Sequence, residues 1–109
     1  MTEALVFRAL GDPLRLEIVS RLAAGISLTV GALSKDLGLT RQGARRHIQV
    51  LVDADVLSLE PDGREVLVHL EKKSLDTASA FLAQLEAQWD QRLLALKKAV
   101  EAEETGEHR

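Results

Sequence analysis

The sequence predicts a mainly α-helical domain that carries one small β-hairpin, an α+β arrangement. Apolar residues recur every three or four positions along most of the 109-residue chain, which is the helical period. The period changes to two only between Val56 and Leu70. The apolar residues are mostly Leu, Val, Ile and Ala, which suit helix packing, and a chain of this length forms one domain rather than two. We therefore expect a single domain over residues 1–103.

Local signals delimit four short helices before the hairpin. Asp12, Thr29 and Thr40 each precede an apolar-periodic segment and can cap a helix, and Pro13 fits a first helical turn. Gly25 and Gly38 follow such segments, where a left-handed residue ends a helix. The predicted helices cover residues 2–10, 13–23, 29–37 and 40–53, and a short extended segment, Ser27-Leu28, lies between the second and the third.

Two strands and one long helix complete the prediction. The alternating segments 56–60 and 65–70 predict a hairpin, with Pro61-Asp62-Gly63 as its turn. From Ser74 onward a helical apolar stripe predicts one long helix over 74–103, followed by an acidic tail over 104–109. This stripe is more apolar than one side of so small a domain needs, so either a partner subunit covers part of it or its aromatics cover their own domain.

The third and fourth predicted helices form a helix-turn-helix pattern, and the hairpin after them forms a wing. Along the fourth helix, Ala44, Ile48 and Leu51 share an apolar face, while the opposite face is basic and polar. In a winged helix-turn-helix the second of these helices enters the major groove of double-stranded DNA. We therefore predict DNA contacts by residues 40–53 and the wing 56–70, from Thr40, Arg41, Gln42, Gly43, Arg45, Arg46, Gln49 and Arg64.

Each predicted contact residue has a chemical reason. The guanidinium fork of arginine binds guanine or phosphate in a bidentate manner, and glutamine can bind adenine. Thr40 offers a hydroxyl and nearby N–H groups to a phosphate. Gly43 indicates either close approach to DNA or a loose helix start, and Arg64 is either a groove contact or a solvated turn residue. Both pairs of alternatives are open at the level of sequence.

Charge and composition restrict the other possibilities. The net charge of −3 counts against nucleic-acid binding, but residues 40–50 hold three arginines and no acidic residue, whereas the C-terminal end is acidic. Without cysteine the chain has no disulfide, thiolate metal ligand or thiol nucleophile, and it lacks a phosphate-binding glycine loop. We expect no enzyme, no cofactor, no membrane span and a cytoplasmic protein.

Histidines are the remaining candidates for chemistry. Glu101, Glu104 and His108 are considered as metal ligands, but one histidine in a solvated tail is a poor donor set, so we predict no metal site. His47 and His69 are predicted to pack or to form hydrogen bonds.

Four segments, GDPLRLEIVSRL, LTVGALSKDLGLTRQGARRHIQVL, DGRE and WDQRL, together resemble the ArsR family of winged helix-turn-helix transcriptional regulators. The resemblance covers nearly the whole chain. It implies a homodimer that represses transcription by occluding an operator, with the first and last helices as its interface. The interface residues are then Leu5, Phe7, Phe81, Leu85, Trp89, Leu93 and Leu96.

The chain departs from the family pattern at two places. Asp55 stands where the family commonly has glycine, and aspartate can still adopt the left-handed conformation at some cost. The third helix, TVGALSKDL, lacks the cysteines of metal-sensing members, so their thiolate site cannot form. An alternative function is a winged helix that binds another protein and not DNA, which the acidic net charge favours.

Overall fold

The computed structural model describes the backbone of residues 2–26 and 28–107. Side chains are described for residues 2–26 and 28–104. It confirms a mainly helical fold with one antiparallel hairpin. The elements are α1 (Thr2–Leu10), α2 (Pro13–Ala23), α3 (Val30–Asp36), α4 (Arg41–Asp53), β1 (Leu57–Asp62), β2 (Glu65–Leu70) and α5 (Lys72–Glu107). The chain divides into two compact units, residues 1–78 and residues 79–109.

The predicted N-caps of α2, α3 and α4 are confirmed. The Asp12 carboxylate accepts hydrogen bonds from the backbone N–H groups of Leu14 and Arg15, at 2.8 and 3.2 Å. The hydroxyl oxygens of Thr29 and Thr40 each accept one bond, at 3.0 Å, from the N–H group three residues later. These bonds satisfy donors that the first helical turn leaves without an intrahelical partner.

The same three helices end in Schellman motifs with a left-handed residue. Gly25, Gly38 and Asp55 have φ of +76°, +64° and +59°. After α4 the N–H of Asp55 donates to the carbonyl of Val52 and that of Val56 to the carbonyl of Leu51, each at 2.9 Å. The expectation that Asp55 takes the left-handed conformation is therefore confirmed.

The predicted position of the hairpin turn is wrong. Strand pairing continues to Asp62 and Glu65, so the loop is the two-residue Gly63-Arg64, and Pro61 lies within β1 opposite Val66. Gly63 has φ of +62° at the first loop position, as a type II′ turn requires. Proline is tolerated because β1 is an edge strand.

A short segment before α3 pairs with the other side of β2. The N–H of Val68 donates to the carbonyl of Leu28 at 2.7 Å, and Thr29 forms a bridge with Leu67. This confirms the extended backbone expected at Leu28, while Ser27 lies outside the described residues. The pairing attaches the wing to the start of α3.

The core of the first unit joins every element from α1 to the start of α5. Its largest fully buried side chains are Ile18, Leu33, Ile48, Leu51, Leu57, Val6, Val56 and Val68. The predicted apolar face of α4 is buried at Ala44, Ile48 and Leu51, and Val52 is half-buried. Because α4 is held by this face, its opposite face is left in solvent.

The long helix α5 extends further than predicted at both ends, from Lys72 to Glu107 instead of 74–103. Its first two turns belong to the first unit, where Leu75 and Ala78 pack against the core and the Ser74 hydroxyl donates to the carbonyl of Asp55 at 2.6 Å. Helical backbone therefore reaches into the segment predicted as an acidic tail.

Candidate nucleic-acid interface

The exposed face of α4 consists of polar and basic side chains. Gln42, Arg45, Arg46 and Gln49 are exposed, and Arg41 and Thr40 at the start of the helix are exposed as well. The short turn through Gly38 and Leu39 separates α3 from α4, so the pair has the helix-turn-helix connectivity. The fold therefore presents one cationic helix surface next to the wing.

A concave surface of about 400 Å³ lies between α4 and the wing. It brings together residues from α3, α4, the hairpin loop and β2: Val30, Arg41, Gln42, Arg45, Arg64 and Val66. Four of the eight predicted DNA-contact residues line it, including the wing residue Arg64. We call this surface the basic cleft.

The arginines of the basic cleft have no ion-pair partner among the described residues. Arg41, Arg45 and Arg64 form neither a salt bridge nor a side-chain hydrogen bond there, although other arginines of the same unit do. Arg21, for example, lies 3.1 Å from a carboxylate oxygen of Glu17. Guanidinium groups that are not neutralised in an ion pair can bind an anionic partner.

Thr40 and Gly43 form one capping unit at the start of α4. A β-carbon on Gly43 would lie 3.1 Å from the capping oxygen of Thr40, closer than most such contacts. The cap alone does not require glycine, because Thr29 caps α3 through Ala32 at the same distance of 3.0 Å. The Thr40 hydroxyl uses its oxygen for the cap and keeps its proton available for an acceptor such as a phosphate.

Arg45 also lines a smaller depression, of about 270 Å³, with Val30, Ile48, Gln49 and Leu59. The Gln49 amide donates to the Asp53 carboxylate at 2.8 Å, one turn further along α4. Arg46 is exposed and lines neither depression. Of the predicted contact residues, Arg45 is thus the one that lines both of these depressions.

Two features that shape this face were not predicted from sequence. The guanidinium of Arg41 lies beside Gly31 of α3, where a β-carbon would be 3.3 Å from its terminal nitrogen. The guanidinium of Arg15 donates to the last carbonyls of α1, from Nε to Ala9 at 2.5 Å and from Nη2 to Arg8 at 3.5 Å. The Asp12-Pro13-Leu14-Arg15 segment is the sequence signal that marks this second contact.

The Asp12 carboxylate has a lowered pKa. The hydrogen bond from the backbone N–H of Arg15 is the largest cause. Desolvation acts in the opposite direction and raises the pKa, whereas the N–H of Leu14 and electrostatic interactions with Arg15 and His47 lower it further. Hydrogen bonds to a carboxylate favour its ionised form. Asp12 is thus both a helix cap and a fixed negative charge near α4.

The two histidines of the first unit form hydrogen bonds, as predicted. The His69 imidazole lies 2.7 Å from the Glu60 carboxylate on the wing, and His47 Nδ1 lies 3.3 Å from Arg15 Nη1. On the wing, Glu60, Asp62, Glu65 and Glu71 are exposed, so the cationic group of the hairpin is the loop residue Arg64. If the wing contacts an anion, Arg64 is therefore the residue that does so.

The residues predicted to form a dimer interface differ in exposure. In the first unit, Leu5 is exposed, whereas Phe7 is half-buried and packs against the core. In the second unit, the predicted residues are all exposed although they are large and apolar: Phe81, Leu85, Trp89, Leu93 and Leu96. Trp89 exposes 59% of its surface. The dimer assignment itself remains a prediction.

The residues that the structure describes contain neither a metal-binding cluster nor a membrane-spanning helix. Residues 2–26 and 28–107 contain no group of three or more possible ligands placed to hold a metal, and His108 lies outside them. No described helix is long and apolar enough to cross a bilayer.

The chain resembles proteins of known class. Residues 10–60 match the helix-turn-helix domain family. The chain is 31% identical over 97 residues to the HTH-type transcriptional regulator Rv2034 of Mycobacterium tuberculosis, covering 89% of this chain and 87% of that protein. Among solved structures, it is 29% identical to an ArsR-like transcriptional regulator from Rhodococcus sp. RHA1, with a TM-score of 0.76, over 89% of this chain and 91% of that one.

A third structure is more distant and shows the fold alone. It is the homodimeric winged helix-turn-helix DNA-binding domain Mb0332 of Mycobacterium bovis, which is 21% identical, has a TM-score of 0.60 and covers 84% of this chain and 82% of that one. The sequence motifs, the winged fold and the first two relatives agree. The chain belongs to the ArsR family of winged helix-turn-helix transcriptional regulators.

Proposed function

We propose that this protein is a sequence-specific DNA-binding repressor that acts as a homodimer by occupying its operator. The observation that carries the proposal is the basic cleft, which Arg41, Arg45 and Arg64 line without an ion-pair partner among the described residues. A DNA backbone supplies the missing negative charges, and a polar helix face beside them supplies groups that can distinguish bases.

Five of the predicted contact residues have a defined role in this proposal. Helix α4 enters the major groove, where Arg45 and Gln42 bind base edges and Arg46 binds a flanking phosphate. Thr40 donates its hydroxyl proton to a second phosphate. Arg64, at the tip of the wing, binds the minor groove or the adjacent backbone.

The dimer in this proposal is formed by α1 and α5. In α5, Leu82, Leu85, Trp89, Leu93, Leu96 and Val100 form a stripe at helical spacing and each exposes between 45% and 61% of its surface. Burial of such a stripe is favourable, and a second copy of the chain offers the same stripe. The homodimeric description of the M. bovis domain supports a homodimer, without indicating which helices form its interface.

Regulation by operator occupancy needs no catalytic step, and we propose none. The chain has no cysteine, so release from DNA does not use the thiolate metal site of metal-sensing relatives. A regulator of chromosomal genes works where the DNA is, and we therefore place this one in the cytoplasm.

The proposal is tested by fluorescence anisotropy with labelled DNA from the region upstream of the protein's own gene. Binding is measured at two salt concentrations, with random duplex as competitor. We expect specific, salt-sensitive binding by a dimer, with the dimer measured independently by light scattering. Equal affinity for both duplexes would overturn the sequence specificity. No binding at either salt by a folded dimer would overturn the proposal in favour of a protein partner.

A further inference from the structure

We infer that His47, held by Arg15, is a positioning residue that fixes the orientation of α4 for DNA binding. The inference rests on the proposed function and adds a group that does not itself have to touch DNA. It concerns a contact between α2 and α4 that joins residues 32 positions apart in sequence.

The contact is a directional one. Arg15 Nη1 lies 3.3 Å from His47 Nδ1, and a guanidinium nitrogen can only donate. Nδ1 must therefore accept, so neutral His47 carries its ring proton on Nε2. Asp12 Oδ1, at 4.0 Å from the same Nδ1, is the second charged group beside the imidazole.

Arg15 is itself held in place by main-chain groups of α1. Its Nε and Nη2 donate to the carbonyls of Ala9 and Arg8, which a helix C-terminus leaves without partners. The Asp12 cap accepts from the backbone N–H of Arg15. One side chain thus ties the end of α1 and the start of α2 to the middle of α4.

The hydrogen bonds of Arg15 restrict the rotation of α4 about its axis, and this rotation sets where the exposed side chains lie. His47 directly follows Arg46, which is one of them. The buried face of the helix is held by Ala44, Ile48 and Leu51, whose apolar contacts are not directional. A rotation of about 20° about the helix axis would move a side-chain atom about 5 Å from that axis by about 1.7 Å. Such a shift exceeds the tolerance of about 0.5 Å for a functional constellation, so a directional bond at the edge of the buried face is useful.

The test compares two substitutions at His47 in the full-length protein. His47→Asn keeps an uncharged acceptor near the position of Nδ1, whereas His47→Leu removes it. The probe is the duplex from the gene's own upstream region, and circular dichroism with thermal melting shows that each variant is folded. We expect His47→Leu to weaken specific binding by about tenfold, and His47→Asn to stay within about twofold of the wild type.

A double-mutant cycle shows whether Arg15 acts through His47. Arg15→Met should weaken DNA binding in the wild type and have little further effect in the His47→Leu background. Arg21→Met is the matched control on α2, because Arg21 pairs with Glu17 and Asp36 and not with α4. Fully additive effects of Arg15→Met and His47→Leu, or equal affinities of His47→Leu and wild type, would overturn the inference.

A spectroscopic measurement separates this inference from the proposed function. Nitrogen-15 spectra of the uncharged imidazole should show His47 as the Nε2–H tautomer in the wild type, and a different ring environment when Arg15 is replaced by Met. The Nδ1–H tautomer would contradict the contact even if the protein binds DNA. Failure of the wild type to bind any duplex would instead contradict the proposed function.

Discussion

Arg45 is the residue whose replacement should affect DNA binding most. It lines the basic cleft and the smaller depression next to it, is exposed, and has no ion-pair partner among the residues described. If its guanidinium binds a base edge, Arg45→Ala should weaken specific binding by about 1–3 kcal/mol, equivalent to about 5- to 150-fold. If it binds a phosphate, the slope of log K against log salt should fall by about 0.9.

The assay is an anisotropy titration of the upstream duplex over a series of salt concentrations. Arg45→Lys is measured beside Arg45→Ala, because lysine restores the charge but not the bidentate fork. The salt slope should return in the lysine variant, and the specific affinity should return only if the contact is a simple charge contact. Lys97→Ala, an equal change of charge in α5, is the control.

The reasoning is refuted if Arg45→Ala changes neither the affinity nor the salt slope. It is also refuted if Lys97→Ala has the same effect, since general charge and not the basic cleft would then account for binding.

Three further predictions concern the fold and the dimer. Asp55→Gly should raise the free energy of unfolding in urea by about 0.5–1 kcal/mol, because φ of +59° strains aspartate more than glycine; an unchanged midpoint would contradict this. Asp12 has a lowered pKa, so its stabilising effect is present above its ordinary value of 3.8 and is lost as pH falls through the lowered value. Asp12→Asn keeps a cap acceptor and should lose less stability than the wild type between neutral pH and pH 2, and equal losses would show that the titration of Asp12 is unimportant. Trp89→Glu should lower the molecular mass measured by sedimentation equilibrium toward that of the monomer, because it places a charge in the exposed apolar stripe of α5. An unchanged dimer mass would place the interface elsewhere.

Features set by neighbouring residues were predictable from sequence. The caps at Asp12, Thr29 and Thr40 and the left-handed residues Gly25 and Gly38 depend on groups within four positions, and the structure has each of them. The apolar period of α4 likewise identified its buried face and, by exclusion, its basic one.

Features set by contacts between distant residues were not predictable. The turn at Gly63-Arg64 depends on the register of β1 against β2, and a Pro-Asp-Gly sequence indicates a turn without fixing which residues form it. The Arg15–His47 bond joins two helices, and nothing local to either residue indicates it.

The most direct test of the central claim is an NMR titration of the isotope-labelled protein with the upstream duplex, followed by amide chemical shifts at low and moderate salt. If the basic cleft is the DNA-binding surface, the largest shifts should occur from Thr40 to Gln49 and at Gly63 and Arg64, and they should saturate at one dimer per site. Specific binding that leaves these amides unchanged and shifts another surface would contradict the account.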